Sequence, residues 1–386
     1  MHVSRPFQAA TCTAAIVGFS LAGAALAQSP HVSLLSQAPA ESICTNCARP
    51  TGIPAAIPPA GFNPLTATDA QLDHYGFPPR PDPKANPGPY AVWQTVVTAP
   101  VKRVVPRQQM TTISNSPAVI LSTSQDLHAP LANAATGTTT PNWSGYGIID
   151  SANPFKAAQS TIYGVFMVPV AQQAAGKCSG GWDYSAAWVG FDGLNSNDLL
   201  QAGVEADAYC SGGTTRGQYY GWYEWYPNNE VRVSAPAIEP GDLIYVYVWN
   251  TTPTTGHYYL QNMTQRVSSS LQFSAPSGVQ LQGNSMEWIV ERTQVSGRYA
   301  TLTNYTGWPW YDARAVIPSG AKKLTYSPAS APSGGIYSIT MLDDAGSAIS
   351  YGETTANSGF SYVDPQGKLH HLLGTGLWFF DEGSAK

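Results

Sequence analysis

Short runs of alternating or continuous apolar residues recur along most of the chain after residue 142. Thr161–Val168, Ala186–Phe191, Gln218–Tyr226, Leu243–Trp249, His257–Gln261, Met286–Glu291 and Ile336–Met341 are five to nine residues long and rich in β-branched and aromatic types. Gly, Pro, Asn or Ser separates them, which predicts strands joined by turns. No window carries a 3.6-residue period, and no internal repeat is present. The body from 142 to 386 is therefore expected to be all-β, as a sandwich or a barrel. Tyr351–Pro365 and Leu377–Phe380 read as its closing strands.

The pattern is different before residue 142. Residues 28–141 hold 18 of the 31 prolines, and stretches such as Phe77–Pro83 can run neither helix nor central strand. Tyr90–Val97 is expected as a strand-like island within this segment. Its charge also differs: six Lys/Arg against five Asp/Glu give +1 here, whereas 12 against 19 give −7 from Asn142 onward. A linker and a propeptide are the two readings. The contrast favours a propeptide that covers an active site and loosens when carboxylates are protonated. Ala132–Thr140, rich in Ala, Thr and Gly, is the expected cleavage zone.

Residues 1–27 have the form of a secretory signal. Arg5 precedes an apolar stretch, Ala14–Ala25, and Ala25-Leu26-Ala27 offers a small-x-small cleavage site. The run is short for a membrane span. The expected location is secreted, either extracellular or periplasmic, with no membrane association after signal removal. In an oxidising compartment Cys178 and Cys210 are expected to pair, and Cys44 and Cys47 to form a small local disulfide. No basic footprint for nucleic acid is present, and a monomer is expected.

The body has only His257, His370 and His371, with no Gly-x-Ser-x-Gly elbow and no His-Glu-x-x-His. Serine, cysteine and zinc hydrolase chemistry therefore lacks its residues, and neither metal nor cofactor is expected. His370–His371 reads as a solvated turn. Carboxylates, amides and aromatics remain, concentrated in Ala187-Trp-Val-Gly-Phe-Asp-Gly193, Asp198-Leu-Leu-Gln-Ala-Gly-Val-Glu205, Gly221-Trp-Tyr-Glu-Trp-Tyr-Pro227 and Met286-Glu-Trp-Ile-Val-Glu291, with Asn142-Trp-Ser-Gly-Tyr-Gly147 at the head of the body. Alternation places Glu287, Ile289 and Glu291 on one strand face. The two carboxylates then stand about 13 Å apart, too far to share one bond on a straight strand.

Four of these blocks, in this order, resemble the glutamic peptidase (eqolisin) family of acid endopeptidases. The resemblance spans roughly Asn142 to Arg292, with weaker agreement to about residue 365. It implies a sandwich of two antiparallel sheets, concanavalin A-like or jelly-roll in type, acting on polypeptide substrates. It also implies that Gln201 and Glu287 are the catalytic pair, rising from one concave sheet, and that Trp143, Trp188, Asp192, Glu205, Glu224 and Tyr226 line or support the cleft. Glu205 departs from the Asp found there in some relatives. In that scheme Glu287 takes a proton from the attacking water, and Gln201 donates a hydrogen bond to the oxyanion. Both side chains must share one sheet face and reach solvent.

Two other readings stay open. An endo-glycosidase on a similar sandwich needs two carboxylates about 5–9.5 Å apart, for which Glu224 with Glu287 is the cross-strand choice. A carbohydrate-binding module would use the aromatics alone.

Overall fold

The computed structural model describes residues 43–381 apart from 45–46, 48, 126–134, 153–158, 175–177, 179, 320, 333 and 364–368. The expected signal (1–27) and residues 132–134 of the expected cleavage zone lie outside the described residues. From residue 43 onward the chain is mainly antiparallel strand, arranged as two stacked layers.

The first layer runs, in spatial order, Gln108–Met110, Val231–Val233, Thr214–Tyr226, Leu199–Ser211, Ala186–Phe191, Ser285–Glu291, Trp143–Ile149, Gly335–Leu342, Thr136–Thr140 and Ser122–Gln125. The second runs Leu369–Asp381, Gly307–Ser319, Thr161–Met167, Leu243–Thr252, Thr255–Asn262 and Val267–Ser274. Ala348–Val363 pairs with a strand of each layer and joins them along one side.

Two-residue alternation explains the packing. Ala187, Val189, Ala202, Val204, Trp288 and Val290 of the first layer meet Ile162, Phe166, Ile244, Val246 and Leu260 of the second in one buried core. The intervening residues point outward, yet they too are buried, because chain from residues 49–125 lies over both outer faces. Beyond the second layer, Tyr163, Val165, Tyr245, Tyr247 and Trp249 pack against Val92 and Val96. Ile53–Pro54 and Lys102–Arg103 extend the same layer by pairing with Val267–Ser274.

Two expectations are corrected here, and the described part of the expected cleavage zone is placed. Tyr90–Val97 is helix, part of Pro87–Thr98. Pro87 and Pro89 occupy the first turn, where a missing N–H goes unneeded. The i, i+4 pairs Val92/Val96 and Trp93/Val97 then bury two adjoining stripes, one on the second layer and one against Leu72 and Phe77. Tertiary burial overrode the β preference of the Val residues. Thr136–Thr140, within the expected cleavage zone, is a strand parallel to Gly335–Leu342. His370–His371 lies on the strand Leu369–Asp381 and not in a turn. Both disulfides, Cys44–Cys47 and Cys178–Cys210, are present.

Candidate active site

Strand register builds the site. Gly190 is the direct partner of Gln201 on one side and of Glu287 on the other. Gln201 in turn opposes Glu224, and Glu287 opposes Gly147. One row across the outer face of the first layer therefore reads Glu224, Gln201, Gly190, Glu287, Gly147. The two proposed catalytic residues stand two strand spacings apart, on the order of 10 Å between backbones, with no side chain between them. A Cβ at Gly190 would meet the Gln201 Cβ at 3.0 Å, so glycine preserves the gap.

Two residues further along the strands, Trp222, Gly203, Trp188 and Ile289 form the next row; then come Tyr220, Glu205, Ala186, Glu291 and Trp143. The aromatics pack as a wall in which Trp143 and Trp188 meet edge to face at 4.9 Å. The Trp188 indole donates to Glu291 Oε2 at 2.9 Å. Asp192 lies just off the end of its strand with φ +70 and accepts from the backbone of Gln282, Gly283 and Asn284 at 2.7–2.9 Å. It thereby fixes the turn that feeds the Glu287 strand. Tyr226 is half-buried at the rim, opposite Leu199.

The expectation that both catalytic candidates reach solvent is not met: Gln201 and Glu287 are each 0% exposed. The cause is a cover formed by residues 113–120, whose Ala118 and Ile120 pack on the aromatic wall. Main-chain groups of the cover are held one after another. Glu224 Oε2 accepts from Asn115 N at 2.9 Å, and Gln201 Nε2 donates to Asn115 O at 2.7 Å. Glu291 Oε1 accepts from Ser116 N at 3.1 Å, Asn142 Nδ2 donates to Ser116 O at 3.0 Å, and Gly193 O accepts from Ala118 N at 3.0 Å. Side chains add Ser114 Oγ to Glu224 Oε1 at 3.1 Å and Asn115 Nδ2 to Glu230 Oε2 at 3.2 Å.

Neither oxygen of Glu287 makes a hydrogen bond of ordinary length among the described residues, although the nearby Ser285 hydroxyl favours its ionised form. Burial pushes its carboxyl well above the ordinary range, and Asp192 and Asp198 nearby push it the same way. Asp192 itself is raised to about 7 by burial and by the neighbouring Asp198. Glu224 and Glu291 are likewise raised well above their ordinary values, burial being the main cause. While the cover is in place, burial favours the protonated form of each of these groups.

Glu205 is on the expected face but away from the Gln201–Glu287 gap. It belongs to a buried chain of carboxyls with Asp207 and Glu230, in which burial first and mutual repulsion second hold Glu205 far above its ordinary value. The roles of Asp207, Glu230, Glu291, Asn142 and the 113–120 cover were not read from the sequence. One signal was available: the alternation Gln201, Gly203, Glu205, Asp207 carries the polar face two residues beyond the recognised block. Nothing comparable marks Asn115.

A model of the Peptidase A4 family matches residues 141–357. Aspergillopepsin-2 of Aspergillus niger is 32% identical over 165 residues, 39% of this chain and 55% of that protein. Scytalidopepsin B of Scytalidium lignicola is 32% identical over 160 residues, 41% of this chain and 54% of its own. The chain thus spans about half the length of the curated relatives it matches. Among solved structures, scytalido-glutamic peptidase with a transition state analog inhibitor aligns with a TM-score of 0.44 at 22% identity, covering 62% of this chain and 98% of that one. Aspergilloglutamic peptidase from Aspergillus niger aligns with a TM-score of 0.40 at 26% identity, covering 52% and 99%.

Proposed function

Since the chain belongs to the Peptidase A4 family, we propose that it is a secreted acid endopeptidase, made with an N-terminal cover, in which Glu287 activates water and Gln201 stabilises the oxyanion. The observation that carries this reading is the hydrogen bond from Gln201 Nε2 to the main-chain carbonyl of Asn115. It sits in a site that also grips the N–H on either side of that carbonyl, through Glu224 and Glu291. A groove that recognises successive peptide groups of an extended chain is built for polypeptide, whatever its side chains.

With the cover gone, a substrate peptide laid on the same track puts its carbonyl on Gln201. Water admitted to the gap above Gly190 lies between that carbonyl and Glu287. Hydration relieves the burial that favours protonated Glu287, so its carboxyl moves back toward the ordinary carboxylate range and ionises more readily. Glu287 takes the water's proton as the oxygen attacks, the oxyanion forms on Gln201, and the proton passes to the departing amine. The cover disables this machinery twice, since it fills the oxyanion position and keeps the base neutral.

Freeing the groove requires a cut after Ala118. Acid processing is accordingly expected to leave a chain that starts between about residues 119 and 142.

The glycosidase reading fits poorly. Glu224 and Glu287 lie three strand spacings apart, about 14 Å between backbones, and Gln201 and Gly190 stand between them. A binding module leaves the Gln201–Glu287 arrangement without a use.

Incubation with denatured casein and with β-glucan at pH 3–4 and at pH 7 tests the proposal. Expected are acid-dependent proteolysis that persists with pepstatin and chelators, none in Glu287→Gln, and a 10²–10³-fold loss in Gln201→Ala. Sugar release without proteolysis, or full activity in Glu287→Gln, would overturn it.

A further inference from the structure

The cover also shows where a substrate side chain goes. Asn115, the residue whose carbonyl lies on Gln201, points its amide at Glu230 and is itself 0% exposed. Behind Glu230 lies the rest of the buried acidic chain. Glu230 is within hydrogen-bonding reach of Glu205 and Tyr220, and Glu205 of Asp207. All three carboxyls are 0% exposed; no N–H or hydroxyl donor among the described residues reaches Glu205 within ordinary bonding distance, and the Ser185 backbone N–H lies near Asp207. Arg232, stacked over Tyr220 at 4.3 Å, is the cation beside them, and it makes no salt bridge among the described residues. Three acids against one guanidinium leave the pocket rich in acceptors, and the cover answers with a side-chain N–H.

We infer that Glu230, Glu205, Asp207 and Tyr220 form a specificity pocket that selects a side chain bearing N–H donors (Asn, Gln, Lys or Arg) at the substrate residue whose carbonyl is attacked. The inference rests on the peptidase reading and adds to it a preference for one class of residue. None of these residues touches the reacting carbonyl, so their effect is on selection. An aliphatic side chain of equal size enters the pocket without offering a donor and leaves Glu230 buried without its partner, which is the costly outcome. Bringing a cation to the pocket favours ionised carboxyls, so Lys and Arg gain as pH rises, whereas Asn and Gln are served across the acid range.

The test uses the acid-processed protein, mapping by mass spectrometry every bond cut in a denatured protein mixture, together with matched peptides that carry Asn, Lys or Leu at the selected position. Expected is enrichment of Asn, Gln, Lys and Arg on the amino side of cut bonds, with kcat/KM about tenfold or more above the Leu peptide. In Glu230→Leu the Asn-to-Leu ratio should collapse toward one. Glu230→Gln, which keeps shape and one acceptor oxygen, should keep the Asn preference and lose that for Lys. The wild-type cleavage map stands alone if Glu230→Leu fails to fold. Cleavage with no enrichment, or enrichment unchanged by a folded Glu230→Leu, overturns the pocket while leaving the peptidase reading intact. Absence of any cleavage overturns both.

Discussion

The two outer faces of the sandwich are both covered by chain from residues 49–125, and by opposite means. Over the second layer, the helix Pro87–Thr98 buries Val92 and Val96 on Tyr163, Tyr245, Tyr247 and Trp249, while Trp93 and Val97 close a small core with Leu72 and Phe77. That contact is mainly hydrocarbon and ring. Over the first layer, residues 113–120 add only Ala118 and Ile120 to the aromatic wall and are otherwise gripped through backbone amides by Gln201, Glu224, Glu291 and Asn142. Apolar burial scales with area and is indifferent to what the buried groups can do. A row of acceptors and donors aimed at peptide groups fits any extended chain, including one that replaces the cover. Under the proposed function, that difference separates a face that is architecture from one where polypeptide comes and goes.

The cover is held by Glu224 and Glu291, which burial raises well above the ordinary carboxyl range and so favours in protonated form. Under the proposed function, opening of the cover therefore falls to chain cleavage more than to titration of these two groups.

pH should produce the largest effect that sharpens the comparison. Glu205, Glu224, Glu287 and Glu291 are raised well above their ordinary values, and Glu230 and Asp192 rise to about 7 and Asp207 to about 8, burial being the main cause throughout. The unfolded chain releases these protons near pH 4, whereas the folded chain holds all seven more tightly, to about 7 for Glu230 and Asp192 and about 8 for Asp207. Their contribution is thus fully present below about pH 4 and is lost as pH rises through the folded values. His257 works in the other direction, since burial lowers it to about 4, but it is one group against seven. Thermal unfolding followed between pH 4 and pH 8 should show Tm falling as pH rises. A Tm that climbs over that range would mean the acidic face is not buried as described.

Next in size is Trp93→Ala. It empties a fully buried site under the helix and removes the indole hydrogen bond to Pro78 O. A loss of about 3–5 kcal/mol is expected in denaturant unfolding of the precursor, with the activity of the processed enzyme unaffected. A change in turnover instead would show that the two covers are not separable.

Ser114→Ala should be smaller. Removing the hydroxyl that donates to Glu224 weakens the site cover by about 0.5–1.5 kcal/mol. The expected readout is faster acid processing with little change in global stability. Unchanged processing would argue against a releasable latch. Smallest of all, Asp344→Ala breaks an ion pair to Arg292 at 2.9 Å that belongs to neither cover. It should shift stability by less than about 0.5 kcal/mol.

Much of the first layer was legible in the sequence for a simple reason. A strand repeats every two residues, so Gln201, Gly203 and Glu205 share a face, as do Glu287, Ile289 and Glu291, wherever those strands lie. The sequence by itself therefore determined the strand character of the body, the alternation that sorts core from site, and the family blocks that single out Gln201 and Glu287. Their meeting across Gly190 was a matter of register between strands almost a hundred residues apart, which local periodicity does not contain. The helical state of Tyr90–Val97 was likewise decided by the surfaces it packs between, which outweigh the strand preference of its own residues. The same holds for Asn115: nothing in a polar, proline-flanked stretch marks a residue that will close a site, because its partners are supplied by strands that only the folded sheet brings together.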